Sequence, residues 1–218
     1  MIVKAIKSIE NITDAEIDQV CAEYISRNLK SMALKKLGLD EDQVQEIAPI
    51  IIDGYFDRDI PGSDEKYSVR YKKSKDNRWR TSNYNAIMFF FSADQVYCYE
   101  LRFSLLENKK QEKTDEYFYR DIVSVSTESG AVTPAAGSEI EGLGGWTALL
   151  PGPLQFLFIL RALWGHAKRR AETINFEYFK LTTSGATTIS ATIFDMESAE
   201  RSVNGMKSLV RGKKQQQL

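Results

Sequence analysis

Residues 87–105, IMFFFSADQVYCYELRFSL, decide the fold predicted for this chain. The first five residues are continuously apolar, and residues 92–95, SADQ, have the composition of a turn. From Tyr97 onward, aromatic or apolar residues alternate with Cys98, Glu100, Arg102 and Ser104. This is the period of a half-buried strand, so the stretch predicts an antiparallel hairpin.

On the N-terminal side of this hairpin, the pattern indicates helix. Residues 13–16, TDAE, form a capping box at a helix start, and Gly38 is a natural helix end. A second helix is expected to begin at Asp40, with Gln43 in the capping position, and to end or kink at Pro49. Residues 13 to about 52 are therefore predicted to form a helical hairpin.

On the C-terminal side, further strands and one last helix are expected. Residues 107–116, ENKKQEKTDE, are interpreted as a solvated connection, and residues 117–125 as a strand that is broken at Asp121. Residues 129–145 have a linker composition, and residues 174–181 and 187–194 form a predicted hairpin. The last helix, capped by Asp195 and stopped by Gly212, carries one apolar face: Ala199, Val203, Met206 and Val210.

Several of these segments together resemble the bacterial pleckstrin-homology-like proteins. The segments are IMFFFSADQVYCYE, YFYRDIVSVS, FKLTTSGATTISATI and the helix MESAERSVNGMKSLV. The resemblance implies an α+β fold with a partly open antiparallel β-barrel and a C-terminal capping helix. The barrel domain would cover residues 57–214, with an apolar insertion at about 129–173, after an N-terminal helical region at 1–56. It also implies a binding or scaffolding module rather than an enzyme.

Composition is that of an ordinary globular protein. The 218 residues are 43% hydrophobic and 27% charged, with a net charge of −1. No overall field selects nucleic acid as a partner, so local clusters must supply any electrostatic binding. The first residues show no signal-peptide pattern, and the expected location is the cytoplasm, either in solution or peripherally at the inner face of the membrane.

Residues for catalysis or metal binding are scarce. The one histidine, His166, stands beside basic residues, and Cys21 and Cys98 are too few for a structural zinc site. A disulfide between the two cysteines remains open. We expect no catalytic residue, metal or cofactor, and an enzyme of unknown class is the third interpretation.

A basic turn is the first candidate binding surface. The anionic-headgroup candidates are Lys72, Lys73, Lys75, Arg78, Trp79 and Arg80. Cations near an anionic membrane each contribute about 1 kcal/mol. In the family that the chain resembles, some phosphoinositide-binding members share a loose pattern of Lys followed by Arg-x-Arg. The alternative is a solvated hairpin whose charges keep a sheet edge soluble.

An apolar segment is the second candidate surface. Residues 143–164 read LGGWTALLPGPLQFLFILRALW, and Pro151-Gly152-Pro153 interrupts them. A helix is expected over residues 153–165, with its apolar surface in a membrane interface, in the core or against a second subunit. Its apolar residues are Leu154, Phe156, Leu157, Phe158, Leu160, Leu163 and Trp164.

These observations favour a non-catalytic binding or scaffolding module that associates peripherally with an anionic membrane or with a protein partner. The alternative is a soluble homo-oligomeric interaction domain whose subunit interface is the apolar helix at 153–165. Nucleic acid is the least favoured partner.

Overall fold

The computed structural model describes residues 13–44, 47–62, 68–74, 76–133, 173–193 and 196–216. These residues have an α+β architecture, with a helix at each end and antiparallel strands between. The helices are α1 (Asp14–Leu37) and α2 (Met196–Gln216). The strands are β1 (Ile50–Phe56), β2 (Tyr71–Lys73), β3 (Trp79–Thr81), β4 (Asn83–Phe91), β5 (Gln95–Ser104), β6 (Lys110–Phe118), β7 (Ile122–Val132), β8 (Ile174–Thr183) and β9 (Thr188–Ile193).

Helix α1 begins and ends where its sequence predicts. The Thr13 hydroxyl accepts a hydrogen bond from the Glu16 amide, and the Glu16 carboxylate accepts one from the Thr13 amide at 2.7 Å. At the other end Gly38 adopts the left-handed conformation, with φ of 67°, and its amide bonds the Leu34 carbonyl. The predicted capping box and stop are confirmed.

The predicted second helix is wrong. Residues Glu41–Val44 form one 3-10 turn, and β1 follows and pairs antiparallel with β4. The β-branched run Ile50-Ile51-Ile52 favours a strand once β4 offers its backbone as a partner. Part of the segment 1–56 therefore belongs to the main sheet rather than to a helical hairpin.

The main sheet has the strand order β1-β4-β5-β6. The predicted hairpin is confirmed, with Phe91 paired to Val96 across the turn. The predicted alternation is also present, but both faces are covered. Phe90 and Leu101 pack with Leu29 of α1, while Phe89 and Cys98 pack on the opposite side. This double burial explains why β4 is apolar without alternation.

The predicted solvated connection at 107–116 is wrong, because β6 occupies most of it. This strand pairs with β5 along its whole length and forms one edge of the main sheet. Its charged residues kept it from being predicted as a strand, yet such charges are typical of edges that avoid pairing with other chains. They are Lys110, Glu112, Lys113, Asp115 and Glu116.

A second sheet has the order β7-β8-β9. A 3-10 turn, Tyr119–Asp121, forms the corner between β6 and β7, and the register shifts between Ile122 and Ser124. The predicted break at Asp121 and the predicted hairpin of β8 and β9 are confirmed. However, β7 continues to Val132, so residues 129–132 are strand rather than linker.

Helix α2 packs on the core that lies between the four-stranded and three-stranded sheets, on the side of the main sheet opposite α1. The predicted apolar face is confirmed: Ala199, Val203, Met206 and Val210 are all buried. The predicted stop at Gly212 is wrong, since the helix continues to Gln216. A glycine within a helix costs only about 1 kcal/mol, and the lysines and glutamines that follow are good helix formers.

The hydrogen-bonded strands form sheets of four, two and three strands and do not close into a barrel within the ranges that the structure describes. The short pair β2-β3 is the two-stranded sheet. Strand β1 lies beside β9, which brings the two larger sheets together around the core under α2.

Candidate functional site

The basic turn that sequence analysis singled out is largely used within the fold. Arg80 is 5% exposed, and its guanidinium bonds both carboxylate oxygens of Asp18 in α1, at 2.9 and 2.6 Å. The same guanidinium bonds both oxygens of Asp76, at 3.1 and 2.8 Å. These bonds hold the β2-β3 hairpin to α1, so Arg80 does not present its charge to a ligand.

The other residues of the turn lie closer to the surface. Lys72 pairs with Asp14 of α1 at 2.6 Å, and the Lys73 ammonium lies 5.7 Å from the Trp79 ring centre. Trp79 is half-buried and Arg78 is exposed. Lys75 lies outside the described residues. The turn thus contains both an internal clamp and some exposed cations, rather than one headgroup site.

The two cysteines are free thiols on opposite faces of the main sheet. Burial, with smaller contributions from Asp18 and Asp53, raises the pKa of Cys21 to about 12. Burial likewise raises the pKa of Cys98 well above its ordinary value. Neither thiol is a ready nucleophile, and the open question of a disulfide is answered by their separation into different cores.

The apolar segment at 143–164, with its expected helix at 153–165, lies outside the described residues, as does His166. Among the helices that the structure describes, none has the length and apolar character needed to cross a membrane. In the same part of the chain, no three His, Cys, Asp or Glu side chains gather as metal ligands.

A groove runs between β7 and α2, with a volume of about 470 Å³. Its lining residues are Ile122, Val123, Ser124, Val125, Lys207, Val210, Arg211 and Lys214. Successive side chains of a strand point to opposite faces, so a groove lined by four consecutive residues must follow the strand's backbone edge. The buried side chains of Ile122 and Val210 belong to the core beneath the groove.

The edge of β7 that borders this groove is irregular and uncharged over the first residues of the strand. The register shift between Ile122 and Ser124 leaves Val123 as an extra residue, and its side chain is 63% exposed. The first charged residue of β7 is Glu128, which pairs with Lys180 of β8. Within the described residues, β7 pairs with β8 alone, so its other edge offers unpaired backbone groups.

The charge of the groove comes entirely from α2. Lys207, Arg211 and Lys214 line it, no acidic residue does, and none of the three makes an ion pair with any residue that the structure describes. Sequence analysis missed this cluster, although spacings of four and three residues place three cations on one side of a helix. Only the packing of α2 beside β7 shows that this side borders an open strand edge.

No family model matches this chain, and neither the curated proteins nor the solved structures include a match to it.

Proposed function

We propose that this protein is a non-catalytic binding module that holds an acidic segment of a protein partner in the groove between β7 and α2. The observation that carries the proposal is the trio Lys207, Arg211 and Lys214, which lines the groove without any acidic neighbour in the lining. Unpaired cations around a partly apolar groove favour a ligand with negative charge.

The arrangement of the strands is consistent with a pleckstrin-homology-like fold, which we also propose. Four antiparallel strands form the first sheet, three form the second, and one amphipathic helix then packs across the core between them. The separate β2-β3 hairpin, which lies between β1 and β4 in the chain, would be an addition to that fold. A fold does not by itself fix a function, so the proposed binding role rests on the groove rather than on the scaffold.

The buried polar groups also support a non-catalytic role. Tyr55 donates to Asp18, and Tyr84 donates to Asp53, each at 2.6 Å. The Tyr55 bond links α1 to β1, the Tyr84 bond joins β4 to β1, and the bonds of Arg80 link α1 to β3. Burial is the main reason that the pKa of both tyrosines lies far above the ordinary value, and the adjacent carboxylates raise it further. Both tyrosines are therefore neutral.

An anionic membrane is the second candidate partner, in keeping with the expected peripheral location. Val123 is 63% exposed and Phe118 is 41% exposed, and both lie near the corner between β6 and β7. Apolar side chains beside cations are typical of surfaces that touch lipid headgroups.

One experiment separates the two partners. The probes are a fluorescein-labelled octapeptide of alternating Glu and Val, and vesicles that contain phosphatidylserine. We expect Lys207→Gln/Arg211→Gln/Lys214→Gln to weaken peptide binding at least about tenfold, since three unpaired cations are lost. The matched control, Lys35→Gln/Lys110→Gln/Lys113→Gln, removes equal charge from other faces and should bind as the wild type does.

Equal peptide binding by the wild type and the α2 triple variant would overturn the proposal. Failure of the wild type to bind the peptide would also overturn it. If vesicles instead retained the wild type and released the triple variant, the groove would be assigned to membrane association. Circular dichroism checks that both triple variants fold.

A further inference from the structure

We propose that the acidic partner binds in extended form and adds a strand to the free edge of β7. This inference rests on the proposed function and specifies its geometry. The groove follows the backbone of Ile122–Val125, where one edge of the strand has no partner among the described residues. An extended peptide can satisfy such backbone groups directly, which supplies affinity without a matching side-chain pocket.

The strand edges of the two sheets differ in a way that favours β7. Edge strand β6 carries five charged residues in nine, the usual protection against an added strand. Strands β1 and β9 lie beside each other and so shield their edges. In contrast, β7 has no charged residue from Ile122 to Thr127, although it is 11 residues long. These six residues lack the charges that protect β6, so this part of the β7 edge is suited to pairing.

The neighbouring charges decide which partner this edge accepts. A second copy of the chain, paired β7 to β7 about a twofold axis, would bring its own Lys207, Arg211 and Lys214 to the same interface. Like charges placed together oppose that pairing. An extended segment with acidic side chains gains both backbone hydrogen bonds along β7 and charge attraction from α2.

The bulge contributes to the fit of the added strand. Because Val123 is the extra residue at the register shift, the strand bends there and turns a valine side chain outward. An incoming segment with apolar residues at alternate positions could cover this valine while its acidic residues face α2. The inferred ligand is therefore an extended acidic segment with alternating apolar side chains.

The test uses the full chain, the labelled Glu-Val octapeptide, and the same peptide N-methylated at every residue. Methylation removes the backbone donors and leaves the carboxylates, so strand addition predicts at least about tenfold weaker binding. Binding of both peptides to polylysine serves as the control for unchanged charge. Hydrogen exchange at residues 123–127 should slow when the unmodified peptide is bound, whereas exchange in β9 should not change.

The outcomes separate this inference from the proposed function. If the methylated peptide binds as tightly as the unmodified one, and the α2 triple variant binds neither, the groove is an acidic-partner site but strand addition is wrong. Unchanged exchange at residues 123–127 in the presence of saturating peptide would likewise overturn strand addition. If the unmodified peptide fails to bind the wild type at concentrations up to about 1 mM, both proposals fail.

Discussion

Arg80 of β3 and Asp18 of α1 form a two-pronged ion pair, with Nε–Oδ1 and Nη2–Oδ2 distances of 2.9 and 2.6 Å. The pair joins residues that are 62 positions apart in the chain. Tyr55 of β1 donates to the same carboxylate at 2.6 Å. Helix α1, the first strand and the β2-β3 hairpin therefore meet at one acidic side chain.

Arg80→Gln should lower the free energy of unfolding by about 3 kcal/mol. The substitution removes a buried guanidinium and leaves Asp18 partly buried without its cation. Urea unfolding at neutral pH measures the change. The matched control is Lys72→Gln, since the Lys72–Asp14 pair is more exposed and should be worth less than about 1 kcal/mol. Equal losses for the two variants would contradict the clamp.

Gly130 and Gly205 should respond to alanine with opposite signs. A Cβ at Gly130 would lie 2.6 Å from the ring of Tyr178, and the Tyr178 hydroxyl is held by Asp57 at 2.7 Å. Gly130→Ala should therefore cost about 1–3 kcal/mol of unfolding free energy. Among the described residues, no atom beyond its chain neighbours and the helix's own backbone lies within 4 Å of a Cβ at Gly205 in α2, so Gly205→Ala should stabilise by about 0.5–1 kcal/mol.

The control for Gly130 is the same substitution in a Tyr178→Leu background. The leucine lacks the ring atoms that the new methyl group would meet. The cost of Gly130→Ala should therefore fall towards zero, which a double-mutant cycle measures. A cost that does not change would show that the strain lies elsewhere in β7.

Tyr99→Phe should destabilise the protein in a pH-dependent way. The Tyr99 hydroxyl donates to Glu112 at 2.6 Å, and this bond is the main cause that lowers the pKa of Glu112 from its ordinary 4.5. A carboxyl whose pKa is lower in the folded than in the unfolded protein stabilises the fold at pH values above its unfolded pKa. This stabilisation is lost as the pH falls through the folded pKa. The difference in unfolding free energy between wild type and variant should be largest near pH 7 and should shrink below pH 4.5.

Tyr97→Phe is the matched control, because Tyr97 lies on the same face of β5 and is partly buried. Its effect on unfolding free energy should stay level across the same pH range. A Tyr99→Phe effect that is equally level would contradict the bond to Glu112 as the cause.

Both cysteines should resist alkylation in the folded protein. Cys21 is fully buried, Cys98 is 1% exposed, and burial raises the pKa of each thiol. At about pH 8, iodoacetamide should label neither residue within the time that fully labels a denatured sample. Mass spectrometry counts the adducts. Rapid labelling of either cysteine in the native state would show that its core opens readily.

Local sequence pattern was sufficient to predict the elements whose structure is specified by their own residues. The capping box and Gly38 bound α1, the alternation after Tyr97 identified β5, and the apolar face around Met206 identified α2. The corner near Asp121 was also visible, because a polar residue interrupts the strand period there. Capping, periodicity and turn chemistry act over a few residues, so they can be read from one chain.

Only the tertiary structure decided the elements that depend on a distant partner. Residues 50–56 and 110–118 are strands because β4 and β5 accept their backbone hydrogen bonds, although the first lay in a predicted helical region and the second is highly charged. Arg80 became internal because Asp18 lies opposite it. The groove exists because α2 packs beside the start of β7, where residues 122–127 carry no charge. Strand pairing, ion pairing and helix packing join residues far apart in the chain, so they cannot be predicted from the periodicity of a local segment.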